Sequence, residues 1–173
     1  MTSEKARVWV DYKETVSVLR SIPVFASLDT ASLKLLAFSS NYLSLEDGEA
    51  LCYQGDPGDS VFVIDEGEVE VSIVLATAER IRLALLGRHD IFGEMAVICN
   101  QPRTADVHAR GRLKVLKIEA DVFLQLVTSD PGAARGMMRI LADRLVSLTE
   151  RYQRLKRSHD RCGQDRERSD NSQ

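Results

Sequence analysis

The sequence predicts a mainly β domain flanked by helices, and three observations carry that prediction. Between about residue 41 and residue 118, short runs of alternating apolar residues recur. Glycine-containing turn signals separate them. On either side, apolar residues return at a spacing of three to four instead of two. Closely spaced short strands with glycine turns suggest a barrel or a sandwich.

The elements follow in order. Residues 11–20 place Tyr12, Val16 and Leu19 at helical spacing, and Ile22-Pro23-Val24-Phe25 breaks that helix. Asp29 or Thr30 can cap a second helix with Leu33, Leu36 and Ala37 on one face. Residues 1–40 thus form an N-terminal helical segment. From residue 41 the turn signals are Asp47-Gly48, the run from Gly55 to Asp59, Glu66-Gly67, Gly87 and Gly111. Between them, Val61 and Val63, then Val69, Val71 and Ile73, then Ile81, Leu83 and Leu85 alternate with other residues, and Leu113, Val115 and Leu116 continue the pattern. This β region extends to residue 128 and includes a short helix at 119–128, ended before Pro131.

A longer helix is predicted over 129–157. Ala134, Met138, Leu141, Leu145, Leu148, Tyr152 and Leu155 recur at alternating spacings of four and three, a heptad seam. Met137 and Ile140 widen the apolar face in the first two turns, as suits packing on the chain's own barrel. Further along only the seam remains, which favours a partner helix and a homodimer. The residues 158–173 are polar, mixed in charge and without apolar period, and are expected to be a disordered tail.

Composition excludes several classes. The chain has 173 residues and a net charge of −3, enough for one ordinary core and without a global electrostatic reason to bind nucleic acid. No apolar run reaches the roughly 18–20 residues that span a bilayer. The N-terminus lacks the apolar stretch of a signal peptide. Cys52, Cys99 and Cys162 are too few and too scattered for a metal site or a disulfide framework. An odd count without an export signal points to the cytoplasm. Cys52 and Cys99 are expected to be small core residues. No nucleophile–base pair, metal-ligand cluster or phosphate-cradling lysine loop stands out, so the chain reads as a non-enzyme without cofactor or metal.

Residues 92–107, FGEMAVICNQPRTADV, hold the chemistry. A Phe-Gly-Glu turn opens a short apolar run, Pro102-Arg103-Thr104-Ala105 closes it, and Arg103 follows Glu94 by nine residues. One carboxylate, one guanidinium and small residues suit a ligand carrying hydroxyls and a phosphate. Glu94 can accept a hydrogen bond from a ribose hydroxyl. Arg103 can grip phosphate oxygens with its planar fork. Gly93 has no Cβ to hold the ligand away from the main chain. If 95–99 form one helical turn, its first N–H groups point at the anion. The plainer alternative is a Glu94–Arg103 pair on a surface loop.

The stretch resembles the phosphate-binding cassette of the cyclic nucleotide-binding domains, the family of the cyclic-nucleotide kinase regulatory subunits, the pacemaker channels and the bacterial catabolite activator protein. Phe92, Gly93, Glu94, Ala96, Pro102, Arg103 and Ala105 carry the match, and the helical phrase from Leu19 to Ala37 is similar to the family's start. The resemblance implies an antiparallel eight-stranded jelly roll. It implies cAMP or cGMP as ligand, held by Phe92, Gly93, Glu94, Met95, Ala96, Arg103, Thr104 and Ala105. Val71 matches a ligand-facing position and is equally an ordinary core valine. Gly55–Ser60 makes a tight bend by its composition, and the resemblance gives Asp59 the further role of orienting Arg103 from behind. Thr104 permits cGMP without excluding cAMP. Asp106 departs from the hydroxyl or small residue usual in the family: facing the pocket it would repel phosphate, facing solvent it would be harmless. The seam Met138, Leu141, Leu145, Leu148, Tyr152 and Leu155 would pass the signal to a dimer mate or another effector. The chain reads as a stand-alone sensor or a fragment of a larger protein. The alternatives are a ligand-free dimeric scaffold with a degenerate site, and a sensor of a cyclic dinucleotide.

Overall fold

The computed structural model describes the main chain of residues 12–170, and the side chains of 12–154 and 156. Five helices and six strands follow one another in the described residues: α1 (Tyr12–Ser21), α2 (Thr30–Ser39), β1 (Asn41–Leu45), β2 (Ala50–Cys52), β3 (Ser60–Val74), β4 (Arg80–Leu86), β5 (Ile91–Phe92), α3 (Glu94–Ile98), β6 (Asp106–Glu119), α4 (Ala120–Ser129) and α5 (Pro131–Asp170). The chain divides into two compact units after Ala134.

In the first unit the prolyl break falls where the sequence places it. Ile22, Val24 and Phe25 are fully buried, and successive three-residue turns run through them, Phe25 N–H donating to the Ile22 carbonyl at 2.9 Å and Leu28 N–H to the Phe25 carbonyl at 3.1 Å. Asp29 is the cap of α2, its carboxylate accepting the Ser32 amide at 2.7 Å. The Phe25 ring meets Phe123 of α4 edge-on, at 6.5 Å between centroids, joining the start of the unit to its end.

The sheet is antiparallel throughout. Its main path runs β1-β6-β3-β4, with β2 also paired to β6 and β5 to β3. The strand count corrects the expectation of eight, because two of the predicted turns are not turns. Gly67 lies inside β3 and Gly111 inside β6, at φ of 88° and 72°. The register between the two strands slips twice, between Ile64 and Glu66 and between Glu66 and Glu68. The glycines serve bulges that bend two long strands without ending them. At Gly67 a Cβ would collide with the Arg112 carbonyl oxygen, so the close approach itself requires glycine. The core gathers on these strands: Phe62, Ile64 and Val69 from β3, Val107, Leu113 and Val115 from β6, with Leu45, Leu51 and Phe92.

One polar group ties α1 to the sheet. Lys114 on β6 lies 2.9 Å from the Asp65 carboxylate and 3.8 Å from Glu14 on α1, and its ammonium sits 4.6 Å over the Tyr42 ring. Asp65 and Tyr42 are buried. Burial and then the Asp65 charge push the Tyr42 hydroxyl well above its ordinary pKa. Burial works against the Lys114 charge, yet the hydrogen bond and charge of Asp65 hold it above the usual lysine value.

Two further expectations change. Cys99, the C-terminal cap of the short α3, is exposed, and Cys52 is only half-buried against the core cluster. The long helix continues to Asp170, through residues expected to form a disordered tail; arginine, glutamine and glutamate there are good helix formers, and no proline interrupts them. Leu155 keeps its place on that helix, and its side chain lies outside the described residues. Met138, Leu145, Leu148 and Tyr152 are exposed by more than half, and Leu141 is partly buried.

Candidate functional site

The site is built where the Gly55–Ser60 loop, α3 and the start of β6 converge on one arginine. Its main chain is gripped from both sides: Arg103 N–H donates to the Asp56 carbonyl at 2.8 Å, and its own carbonyl accepts the Gly55 amide at 2.8 Å. The side chain turns inward and is 4% exposed. Nη1 donates to the Gly93 carbonyl at 3.2 Å, and Nη2 to Ser60 Oγ at 2.9 Å. Asp59 Oδ1 lies 3.5 Å from Nη2, and the guanidinium carbon lies 5.2 Å over the Phe62 ring. A buried guanidinium is tolerable only with such partners, and the ring face adds a cation–π contact.

Ser60 links the charges. Its hydroxyl accepts from Arg103 and donates to Asp59 Oδ1 at 2.8 Å. The Asp59 side chain is 62% exposed and has Lys117 at 3.9 Å on its other oxygen. The acid next to the arginine is therefore the most solvent-accessible part of the group.

Gly93 caps α3 in the left-handed region, at φ 82°. A Cβ there would come within 2.5 Å of Arg103 Nη1 and 3.1 Å of the Ser60 carbonyl. No side chain fits between the turn and the arginine. Gly58 is as constrained, since its Cβ would strike the Gln101 carbonyl and lie 2.8 Å from Ala96 Cβ. The bend at 55–60 is thus packed directly on α3: Gly58 is required by contact, and Gly55, at φ 92° with open space around it, by the turn.

Glu94 is 1% exposed and Arg103 5%. That removes the surface-loop alternative for the two residues. Ala96 and Ala105 are buried, Thr104 is exposed, and Met95 is 48% exposed. Phe92 stacks on Phe62 at 5.2 Å and belongs to the core cluster, so its position supports the arginine from beneath. Val71 is partly buried against the same cluster. Asp106 takes neither of its two expected orientations. It is buried, its Oδ1 accepts the Gln54 amide at 2.8 Å, and its Oδ2 lies 3.2 Å from Arg80. Ser60 and Phe62 were not singled out by sequence reasoning. Ser60 closes the GDPGDS run and could have been found there; Phe62 reads as one more core residue of a strand. Among the described residues no group of three His, Cys, Asp or Glu side chains gathers to hold a metal, and no helix is long and apolar enough to cross a membrane.

The pattern that defines the cyclic nucleotide-binding domain matches residues 42–130, the span holding the sheet, the bend and the arginine. The chain is 28% identical over 126 residues to a cAMP-dependent protein kinase regulatory subunit of Blastocladiella emersonii, covering 73% of this chain and 30% of that protein. It is 30% identical over 143 residues to a cGMP-dependent protein kinase of Plasmodium berghei (strain Anka), covering 82% of this chain and 16% of that one. The chain therefore spans less than a third of either relative. The co-crystal structure of the regulatory domain of Toxoplasma gondii PKA with cAMP superposes with a TM-score of 0.62 at 25% identity, over 66% of this chain and 44% of that one.

Proposed function

The chain belongs to the cyclic nucleotide-binding domain family, and on that premise we propose that it is a regulatory module that binds cAMP or cGMP. The observation that carries this reading is the buried Arg103 guanidinium, walled by Gly93, Ser60 and Phe62, with the buried Glu94 one residue beyond the wall. Arg103 meets the cyclic phosphate, displacing the exposed Asp59. Glu94 accepts from the ribose hydroxyl. The module is non-catalytic and acts by passing occupancy to an effector. Calorimetric titration with cAMP, cGMP and cyclic di-GMP tests it. Binding of either mononucleotide supports the reading. Binding of the dinucleotide alone reassigns the ligand, and no heat with any of the three leaves a ligand-free scaffold.

Glu94→Gln keeps a carbonyl acceptor and loses the charge, so affinity should fall by about 1–2 kcal/mol. Against a 2′-deoxy analogue the same substitution should cost much less, because the hydroxyl is already gone. Equal losses with both ligands would rule out the ribose contact.

The helix after the domain is assigned to a parallel homodimer. Leu145 and Leu148 are 66% and 55% exposed, at adjacent seam positions. Each contributes on the order of 1.5–3 kcal/mol if a partner helix buries it. Leu145→Glu combined with Leu148→Glu should halve the mass seen by light scattering. A wild type that is monomeric at tens of micromolar (~50 μM, where even a weak coiled-coil pair of micromolar affinity would associate) removes the dimer.

A further inference from the structure

Three residues away from Arg103 a second buried charge is held by β4, a strand that the ligand site does not otherwise use. Asp106 opens β6 and is 5% exposed. Its carboxylate accepts the Gln54 amide at 2.8 Å and lies 3.2 Å from Arg80 Nη2 on β4. Arg80 Nη1 also donates to Ser72 Oγ at 3.0 Å, and Ser72, 1% exposed, stands opposite Asp106 in the β3–β6 ladder. Gln54 is followed by Gly55 and Asp56, the two residues whose main chain grips Arg103. The carboxylate of Asp106 thus anchors the loop that holds the arginine, and Arg80 holds the carboxylate.

We propose that Arg80 and Asp106 are positioning residues for Arg103. Arg80 neutralises Asp106 so that this carboxylate stays buried beside an anion-binding arginine, and Asp106 fixes the Gln54–Asp56 loop against the Arg103 main chain. The ligand part of the proposal rests on the cyclic-nucleotide reading above. The charge argument is direct. Chain reach alone keeps the Asp106 and Arg103 Cα atoms within about 11 Å of each other. At that range an uncompensated carboxylate opposes any anion brought to Arg103. Burial without a partner also drives it toward water, and the Gln54 amide loses its acceptor as it goes. Asparagine at 106 has no charge to neutralise and still offers an acceptor to Gln54, so it separates the two functions of the aspartate.

The experiment compares wild type, Arg80→Met, Asp106→Asn and the double variant. Affinity for cAMP and cGMP is measured by calorimetry, and exchange of the Gly55 and Arg103 amides is followed by NMR without ligand. Arg80→Met should lose tenfold or more in affinity, while its two amides exchange at least tenfold faster. Asp106→Asn should stay within threefold of wild type on both readouts. The double variant should return to within threefold of wild type, because the charge that needed Arg80 is gone. A residue serving only to pack the sheet would not be rescued in this way. Arg80→Met with wild-type affinity and exchange overturns the proposal, and so does a double variant no better than Arg80→Met. If wild type binds neither nucleotide, the cyclic-nucleotide reading falls, and the amide exchange alone decides whether Arg80 and Asp106 position Arg103.

Discussion

Arg103→Ala should weaken cyclic-nucleotide binding by roughly 2–4 kcal/mol, on the order of 30- to 1,000-fold in Kd. The substitution removes the side chain whose cationic edge lies between Ser60 and the Gly93 carbonyl, leaving the phosphate without its charge partner. The fold should persist. Arg103 joins the core through one ring face and three oxygen partners, and one of these, Asp59, is exposed enough to return to water. The Arg103 main chain keeps both of its bonds to the 55–56 loop, since these do not depend on the side chain. Calorimetry reads the affinity, and thermal unfolding of the ligand-free protein reads the fold. A variant that titrates like wild type would mean that the phosphate sits elsewhere.

The largest effect on stability is expected at the pair of Lys114 with the buried Asp65. Lys114→Ala should cost about 3 kcal/mol, because it leaves the Asp65 carboxylate, 3% exposed, without the ammonium 2.9 Å away. It also takes the cation from the Tyr42 ring and the link to Glu14 on α1. Lys114→Met with Asp65→Asn should recover most of the loss, since a neutral pair has little charge to desolvate. Urea unfolding of the three proteins reads the difference, and a Lys114→Ala midpoint equal to wild type would show that Asp65 is served by other groups. The pH dependence has a fixed sign. Lys114 and Tyr42 both have folded pKa values above their ordinary ones. The unfolded chain therefore releases these protons first, near pH 10. Their contribution is complete below about pH 10 and falls as the pH rises above it.

The charged clusters differ in how much of each is local in the chain. The cassette was legible because its chemistry is local. Gly93, Glu94 and Arg103 fall within eleven residues, and their spacing alone sets a carboxylate and a guanidinium around a turn where only glycine fits. The GDPGDS bend was legible for a similar reason, because its glycines and proline announce the turn whatever they pack against. The Asp29 cap and the prolyl break at 22–25 also belong to this class, being decided within a few residues.

The remainder was decided by pairings far apart in sequence. Gly67 and Gly111 carry the same turn signal as Gly48, yet they lie within long strands, because β3 and β6 continue to find each other on both sides of the slip in register. A glycine at positive φ serves a turn or a bulge equally well, and only the partner strand chooses. Asp106 could not be oriented from its own neighbours. Its surroundings are Gln54, Ser72 and Arg80, each brought by a different element. Lys114 with Asp65 and Tyr42 is likewise invisible in the chain, where each residue is one polar position in an alternating strand. The sequence by itself determined that one carboxylate, one guanidinium and a glycine turn lie within eleven residues, and that a β-rich stretch lies between helices. The tertiary structure decided which charges are buried, because burial and charge pairing depend on residues that meet only when the sheet closes its ladders.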